Sequence, residues 1–346
     1  MIDLNDNQAI AQIDKADTYS SVSSLAKQCK QAWDETQVLR FPDAYKNVQN
    51  IALCGMGGSA YAAYFIKALF ANLIRVPFTL ANGYNLPGYI DQNSLVLLSS
   101  YSGSTEEILS CAQEAVKRSA KIAAVTSGSK LAEFTKANNF PAYIFNPQYN
   151  LSQQPRLGQG YMILGHMGVL ARLGFIPLTT EDVSSAVSFL ESENAKIEKE
   201  AKKIAQKLME KIPVIVASEH LSGNAHTMRN QFNETAKNFA AYAIIPELNH
   251  HLMEGLIHPT ERILSFLILN SMLYSPIIQK RNALTREVIT KNNIEVIDIQ
   301  VEGQTQLAQI LYCLALGGYI TFYLAILYGQ DPNAVPWVDY FKEQLA

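Results

Sequence analysis

Residues 94–109 read Ser94-Leu-Val-Leu-Leu-Ser-Ser-Tyr-Ser-Gly-Ser-Thr-Glu-Glu-Ile-Leu109, and this stretch decides the fold class. The apolar run 94–99 has the length and bounds of a buried strand. The following residues, 104–119, place apolar side chains on one stripe of an amphipathic helix: Ile108, Leu109, Ala112, Ala115 and Val116. A buried strand leading through a glycine-containing loop into a helix is the unit from which parallel α/β sheets are built.

The same alternation continues along the chain. Further strands are predicted at 51–54, 76–80, 121–126, 141–145, 213–218 and 295–299. Helices are predicted within 18–48, 59–73, from 130, and within 159–210 and 222–240, while the start of 262–273 fits either type. The pattern predicts an α/β protein of two αβα sandwich domains, 1–178 and 179–346, each with a mainly parallel sheet flanked by helices. No clear sequence repeat relates the two halves.

Composition bounds the function class. The chain of 346 residues is 48% hydrophobic and 17% charged with net charge −3, so it can bury a core and has no basic surplus for nucleic acid. The four cysteines form no CxxC pair and are expected to be small buried hydrophobes in a reducing compartment. The acidic, polar N-terminus lacks the pattern of a secretory signal, and a cytoplasmic location is expected.

One segment has the length of a membrane span. Residues 303–330 carry no charge, and the part from Leu307 to Tyr328 is long enough to cross a bilayer. A glutamine, a threonine, a glycine pair and several tyrosines interrupt the run, and no basic cluster flanks it. A helix that is apolar on all sides is also found buried in large proteins, and we expect that here, with no membrane partner.

Gly55-Met-Gly-Gly-Ser-Ala60 follows a strand and opens a helix, which fits the loose dinucleotide pattern GxGxxA. A nucleotide site also needs an acidic residue at the end of the next strand, and none precedes Asp91. This disfavours a nicotinamide-dependent enzyme. The glycines are interpreted as admitting a smaller ligand beside the Ser59 hydroxyl, and a plain tight turn is the alternative.

Ser100-Tyr-Ser-Gly-Ser-Thr105 joins a strand to a helix N-terminus, where free amides and the helix dipole favour an anion. Ser100, Ser102 and Thr105 add hydroxyl donors. The absence of a Walker lysine favours a single phosphate monoester over a nucleotide triphosphate. The alternative is a capping box from Ser104 to Glu107, which explains one hydroxyl but not the others.

These loops resemble the sugar isomerase (SIS) domain, and the further motifs resemble the bifunctional phosphoglucose/phosphomannose isomerase family. The segments that carry the resemblance are Gly55–Ser59 (GMGGS), Ser100–Thr105 (SYSGNT, with Ser104 for Asn), Gln154–Arg156 (QPR), Asn233–Lys237 (NENAK) and Pro246–His250 (PELNHN, with His251 for the last Asn). The resemblance implies interconversion of glucose 6-phosphate and fructose 6-phosphate without a cofactor. Residues 333–336 leave use of mannose 6-phosphate open.

The resemblance also implies the site residues. The substrate phosphate would lie on Gly58, Ser59, Ser100, Ser102 and Thr105. The catalytic groups would be Glu234, His250, Lys342 and Arg156. Aldose–ketose isomerisation moves a proton between adjacent carbons and needs one carboxylate base, the role implied for Glu234. The alternative for Glu234 is a solvated helix face.

His250 would assist ring opening, since an imidazole titrates near neutral pH, and the resemblance implies that it reaches across a homodimer interface. The pair His250-His251 could also suggest a metal, but adjacent side chains on an extended chain diverge and no ligand cluster lies nearby, so no metal is expected.

Lys342 would help ring opening, with an exposed terminal lysine as the alternative. The arginine of QPR would stabilise the enediolate, with a surface ion pair as the alternative. The competing function is a non-catalytic phosphosugar sensor, which would keep the hydroxyl loop without needing Glu234 and His250.

Overall fold

The computed structural model describes residues 2–345. In the described chain the strands are β1 Asn50–Gly55, β2 Phe78–Ala81, β3 Ser94–Ser99, β4 Lys121–Thr126, β5 Ala142–Ile144, β6 Ile212–Ser218, β7 Ala241–Ile245, β8 Leu264–Asn270 and β9 Glu295–Gln300. The α-helices are α1 Asn7–Ile13, α2 Thr18–Ser23, α3 Leu25–Gln37, α4 Tyr61–Phe70, α5 Glu106–Lys117, α6 Ser129–Ala137, α7 Gln159–Arg172, α8 Thr180–Lys207, α9 Ser222–Gln231, α10 Pro276–Lys291, α11 Gln306–Leu327 and α12 Pro336–Leu345.

The chain forms two compact units that are not continuous in sequence. The N-terminal unit consists of Ser24–Ser192 with Gly303–Leu311, and the C-terminal unit takes residues 2–23, Glu193–Glu302 and 312–345. The chain passes from one unit to the other within α8, whereas the predicted division after residue 178 lies just before that helix.

The N-terminal unit is built on a five-stranded sheet with the order β2-β1-β3-β4-β5. All four strand pairings are parallel, as the alternation of strands and helices predicts. Strand β3 is buried over its whole length, which is how the central strand of a sheet covered on both faces is packed. Because parallel strands end at one edge, the loops after β1 and β3 leave the sheet side by side.

Helix α5 packs on this sheet, but its buried side differs slightly from the predicted stripe. Ile108, Cys111, Ala112 and Ala115 are buried, whereas Val116 is exposed. Cys111, which the predicted stripe did not include, belongs to the buried side of the helix. This behaviour is ordinary for a reduced cysteine, which packs as a small hydrophobe.

The C-terminal unit has a four-stranded parallel sheet with the order β7-β6-β8-β9. This repeats the order of the first four strands in the other sheet, β2-β1-β3-β4, so the two units share a topology that no sequence repeat revealed. Residues 264–270 are a strand, which decides the choice left open at 262–273. Strand β7 and helix α10 were not predicted.

Helix α11 is the segment long and apolar enough to cross a membrane, and its most apolar window is completely buried in the fold. This is the packing of a core helix, as predicted. Its tyrosines keep their hydroxyls satisfied by reaching the charged part of α8: Tyr323 donates to Glu198 at 2.5 Å and Tyr312 donates to Glu200 at 2.9 Å. Tyr19 of α2 also donates to Glu198, at 3.1 Å.

The four cysteines, Cys29, Cys54, Cys111 and Cys313, are all free and buried. Two that lie far apart in sequence meet in the core, where the Cys54 and Cys111 thiols hydrogen-bond to each other. The hydrogen bond with the Cys111 thiol, together with burial, raises the pKa of Cys54 well above its ordinary value. Its thiol is therefore held in the unreactive neutral form.

Candidate active site

The loops after β1 and β3 are joined by a hydrogen bond at the carboxyl edge of the N-terminal sheet. The backbone N–H of Tyr101 donates to Oγ of Ser59 at 2.9 Å. The Ser99 hydroxyl, at the end of β3, donates to the carbonyl of Ser59 at 2.5 Å. The structure therefore brings together the two motifs that the sequence analysis assigned to one ligand.

The loop Ser100–Thr105 folds around its own first and last hydroxyls. Oγ of Ser100 lies 2.8 Å from Oγ1 of Thr105 and accepts from the N–H of Gly103 at 3.0 Å. Gly103 has φ +71°, and a Cβ there would lie 1.9 Å from the carbonyl oxygen of Gly128. The glycine is thus required both by the left-handed backbone and by the close approach of a second loop.

The capping alternative for this loop is wrong. Helix α5 begins at Glu106 with Thr105 as its N-cap, and no side chain caps the helix. The Ser104 hydroxyl instead donates to Oγ of Ser102 at 3.2 Å, on the exposed rim of the loop. The first-turn amides of α5 therefore have no capping hydroxyl, which leaves a helix N-terminus of the kind that binds anions.

The segment Gln154–Arg156 lies directly beside the first loop. A Cβ on Gly58 would be 3.2 Å from Cα of Arg156, so the two backbones are in close contact. The Arg156 side chain is buried, with 4% of its surface exposed, and its Nη1 donates to Oε1 of Gln154 at 2.8 Å. A buried guanidinium is costly unless it has partners, so the surface ion-pair interpretation of Arg156 is wrong.

A residue that the sequence analysis did not single out links the second loop to this segment. The buried Asn150 side chain donates to the Tyr101 hydroxyl at 2.7 Å and to the carbonyl of Gln154 at 2.9 Å. Burial raises the pKa of Tyr101 to about 12, so its hydroxyl remains protonated. The sequence carried no signal for Asn150, since a lone asparagine in a loop is usually a turn residue.

In the C-terminal unit, Glu234 lies in a π-helical turn, Phe232–Ala236, that directly continues α9. A regular helix was predicted over this segment. The turn ends at Lys237, which has φ +53°, and Asn233 holds it by donating to the carbonyls of Arg229 at 2.8 Å and Ala240 at 3.3 Å. The Glu234 side chain is half-buried, not on a solvated helix face. Single π-helical turns inside α-helices are found frequently at functional sites.

His250 is the last residue of a 3₁₀ turn, Glu247–His250, and its side chain is exposed. The backbone is therefore not extended here, and the geometric reason given above against a metal does not apply. His251 has a different partner, since its Nε2 lies 2.7 Å from a carboxylate oxygen of Glu247. Among residues 2–345, no group of three or more histidine, cysteine or acidic side chains is arranged to hold a metal ion.

Lys342 lies on α12, whose residues 336–345 are all exposed. The segment leading to this helix is tied to the Glu234 turn through Lys237, whose Nζ donates to the carbonyls of Asp331 and Thr235. The structure thus joins the chain segments that carry Glu234 and Lys342, while the Lys342 side chain itself is in solvent.

Comparison with known families defines the class of protein. The profile of the SIS domain matches residues 44–140, and that of the bacterial phospho-glucose isomerase C-terminal SIS domain matches residues 197–345. Two SIS domains, one with a hydroxyl-lined loop and one with a carboxylate on a π-helical turn, make this a phosphosugar-type SIS protein.

Individual relatives narrow the class to one family. The chain is 31% identical over 344 residues to a bifunctional phosphoglucose/phosphomannose isomerase of Caldicellulosiruptor bescii, covering 95% of this chain and 98% of the relative. It is 32% identical to the protein of that name in Thermoplasma volcanium, covering 89% and 96%. The chain belongs to the bifunctional phosphoglucose/phosphomannose isomerase family, as the motifs predicted.

Solved structures agree on the fold. A putative phosphosugar isomerase from Clostridium difficile 630 superposes with a TM-score of 0.74 at 14% identity, covering 95% of this chain and 98% of that one. At this identity the likeness confirms the two-domain α/β architecture.

Proposed function

We propose that the chain is an aldose–ketose isomerase that interconverts glucose 6-phosphate, fructose 6-phosphate and mannose 6-phosphate. The observation that carries the proposal is the half-buried carboxylate of Glu234 on a π-helical turn, in a chain that aligns with named isomerases over almost their whole length. A phosphosugar sensor would have no need of a carboxylate base held in this way.

The phosphate is held by the N-terminal unit. The hydroxyls of Ser59, Ser100, Ser102 and Thr105 belong to two hydrogen-bonded loops, and the N-terminus of α5 adds partial positive charge. Gly58 keeps the first loop close to the backbone of the Gln154–Arg156 segment. Held by its phosphate, the sugar is fixed in position for proton transfer.

Glu234 transfers the proton. After ring opening by His250 and Lys342, its carboxylate removes the proton from the carbon next to the carbonyl and returns it to the neighbouring carbon through an enediol. The fixed positive charge of Arg156 stabilises the enediolate. Glucose 6-phosphate and mannose 6-phosphate differ only in configuration at the carbon that loses its proton, so both give the same enediol. The two sugars carry this hydrogen on opposite faces of the enediol, so one base serves both substrates when the chain turns about the bond between its second and third carbons.

We further propose that the enzyme works without a metal or cofactor, as a cytoplasmic homodimer in which His250 acts in the site of the partner subunit. The exposed position of His250 on a surface turn supports this assignment, because the imidazole is accessible to a second chain. No nucleic-acid or membrane partner is needed for this chemistry.

A coupled assay tests the proposal. Fructose 6-phosphate is supplied, and glucose 6-phosphate is detected with an NADP-linked dehydrogenase, for the wild type and Glu234→Gln. We expect Glu234→Gln to lose turnover by roughly 10²–10⁴-fold, the usual contribution of a general base. The matched control is Glu295→Gln, which changes an exposed glutamate at the start of β9.

Two further measurements separate binding from chemistry. Inhibition by inorganic phosphate reports the hydroxyl loops and should survive in Glu234→Gln. Mannose 6-phosphate supplied alone should yield fructose 6-phosphate. Equal turnover by the wild type and Glu234→Gln would contradict the isomerase proposal, and retained phosphate binding would then favour the sensor.

A further inference from the structure

The side chain of Asn249, next to His250, is fully engaged by a different element of the C-terminal unit. Its Nδ2 donates to Oγ1 of Thr285 at 2.8 Å, and its Oδ1 accepts from Nη1 of Arg281 at 3.1 Å. Both partners lie on α10, one turn apart, where neighbouring side chains face the same way. The amide is therefore held at both ends by one helix face.

The 3₁₀ turn does not need this amide in order to form. The backbone closes it, since the N–H of Asn249 donates to the carbonyl of Pro246 at 3.1 Å and the N–H of Leu252 donates to that of Leu248 at 2.9 Å. No side chain caps the turn. What the amide determines is where the turn lies on α10, not whether the turn exists.

The two bonds also fix the orientation of the amide. The amide oxygen accepts from the guanidinium, and the amide nitrogen donates to the hydroxyl. If the amide were flipped, its NH2 group would lie against the N–H groups of Arg281, and no hydrogen bond could form there. The Thr285 side chain is buried, with 1% of its surface exposed, and so is that of Leu248, at 0%. The residue before His250 is thus held from two sides, while the imidazole itself projects into solvent.

Two other basic residues of α10 form ion pairs with carboxylates. Arg286 binds Asp298, with Nε at 2.6 Å from the carboxylate, and Lys291 binds Glu287. Arg281 instead directs its charge at an uncharged amide, and a charge-assisted hydrogen bond of this kind is stronger than a neutral one. Such a bond on a turn whose backbone is already satisfied has its clearest use in holding the neighbouring histidine.

We propose that Arg281 and Thr285 are positioning residues that clamp Asn249 and thereby place His250 for ring opening. The inference rests on the role proposed for His250 in the isomerase. Neither residue belongs to a motif that carries the family resemblance. The clamp acts on the rate of the reaction and not on phosphate binding.

The experiment is a double-mutant cycle. Arg281→Ala and Thr285→Val are made in the wild type and in His250→Ala, and kcat and KM for fructose 6-phosphate are measured in the coupled assay. In the wild type we expect each substitution to lower kcat by roughly 10–100-fold, the cost of misplacing a catalytic group by about an ångström, with KM little changed. In His250→Ala we expect no further loss, because the group being positioned is gone.

Conservative and control variants separate positioning from folding. Thr285→Ser keeps the hydroxyl and should retain activity, whereas Thr285→Val keeps the shape and should not. Arg286→Ala removes an arginine of the same helix whose guanidinium pairs with Asp298, and it should leave kcat unchanged. Urea midpoints for all variants report any loss of folded protein.

The outcomes are distinct. If Arg281→Ala or Thr285→Val lowers kcat by as large a factor in His250→Ala as in the wild type, the proposed clamp is wrong. A Thr285→Val variant with wild-type kcat would also contradict it. If His250→Ala alone retains wild-type turnover, the role of His250 is wrong and the clamp falls with it. That result still leaves the isomerase itself to be judged from Glu234→Gln.

Discussion

At the scale of single residues, the site depends on side chains and glycines whose surroundings leave little freedom. A Cβ on Gly103 would clash with a neighbouring loop, and the Asn150 amide donates hydrogen bonds to two loops. The guanidinium of the buried Arg156 donates to the Gln154 side chain. Each of these residues acts by fixing the shape of a loop. Substitutions of these residues are expected to weaken ligand binding more than they lower the stability of the fold.

Gly103→Ala should impair phosphate binding. The left-handed backbone costs a non-glycine residue about 1–2 kcal/mol, and the contact with the Gly128 carbonyl must be relieved by moving one of the loops. We expect a raised KM for fructose 6-phosphate and weaker inhibition by inorganic phosphate. Gly83→Ala is the control, since a Cβ there meets nothing within 4 Å. Similar phosphate affinities for the two variants would show that the loop tolerates the change.

A second residue-scale prediction concerns pH. Burial lowers the pKa of His166 to about 4, and its Nδ1 lies 2.6 Å from the carbonyl of Met162. The unfolded chain takes up this proton near pH 6.5, so the contribution of His166 to stability is complete above that pH and is lost as the pH falls towards 4. The amount is about 3 kcal/mol, since one pKa unit corresponds to 1.36 kcal/mol.

Urea unfolding at pH 7 and pH 4.5 measures this dependence. His166→Met should lose less stability between the two values than the wild type does. His258→Gln, which changes an exposed histidine, should behave like the wild type. Equal acid losses for His166→Met and the wild type would contradict the assignment.

At the scale of elements, the structure shows which features a single sequence reveals. Apolar runs identified the central strands β1, β3, β4 and β6, because a strand buried on both faces is apolar throughout. The edge strand β7 was missed since four of its five residues are only half-buried and its pattern is weak. The π-helical turn was also missed, because it differs from an α-helix in hydrogen bonding and not in residue type.

Lys237 connects two elements, and its removal should separate them. Lys237→Met loses the bonds to the carbonyls of Asp331 and Thr235, so the segment leading to α12 is held less firmly. We expect faster limited proteolysis near residue 331 and a lower kcat, with a small change in the urea midpoint. Lys291→Met, which removes an exposed ion pair on α10, is the control. Unchanged proteolysis would mean that other contacts hold the segment.

At the scale of the whole molecule, two units of the same strand order carry different parts of the proposed chemistry. The phosphate loops and Arg156 belong to one unit, and Glu234, His250 and Lys342 belong to the other. The motifs predicted both sets of residues because the motifs are local in sequence. The unit to which residues 2–23 belong could not be predicted, since it depends on contacts with residues far along the chain, such as Tyr19 with Glu198.

The proposed homodimer makes a prediction that single variants cannot test. Glu234→Gln and His250→Ala should each have turnover far below that of the wild type. When the two are unfolded together and reassociated, each mixed dimer should contain one site with both groups intact and should regain activity. The control is the same treatment of each variant by itself. Failure of the mixture to exceed its components would place both residues in the same protomer's site.

The interleaving of the two units has a consequence for biosynthesis. Residues 2–23 leave the ribosome well before Glu193–Glu302, the segment with which they pack, and the N-terminal unit still lacks Gly303–Leu311 while its sheet is being made. Apolar surface on both units therefore stays exposed until these later segments have been synthesised. Contacts between segments distant in sequence are also slow to form. This enzyme is expected to depend on chaperones during synthesis more than a protein of the same size whose domains are continuous in sequence.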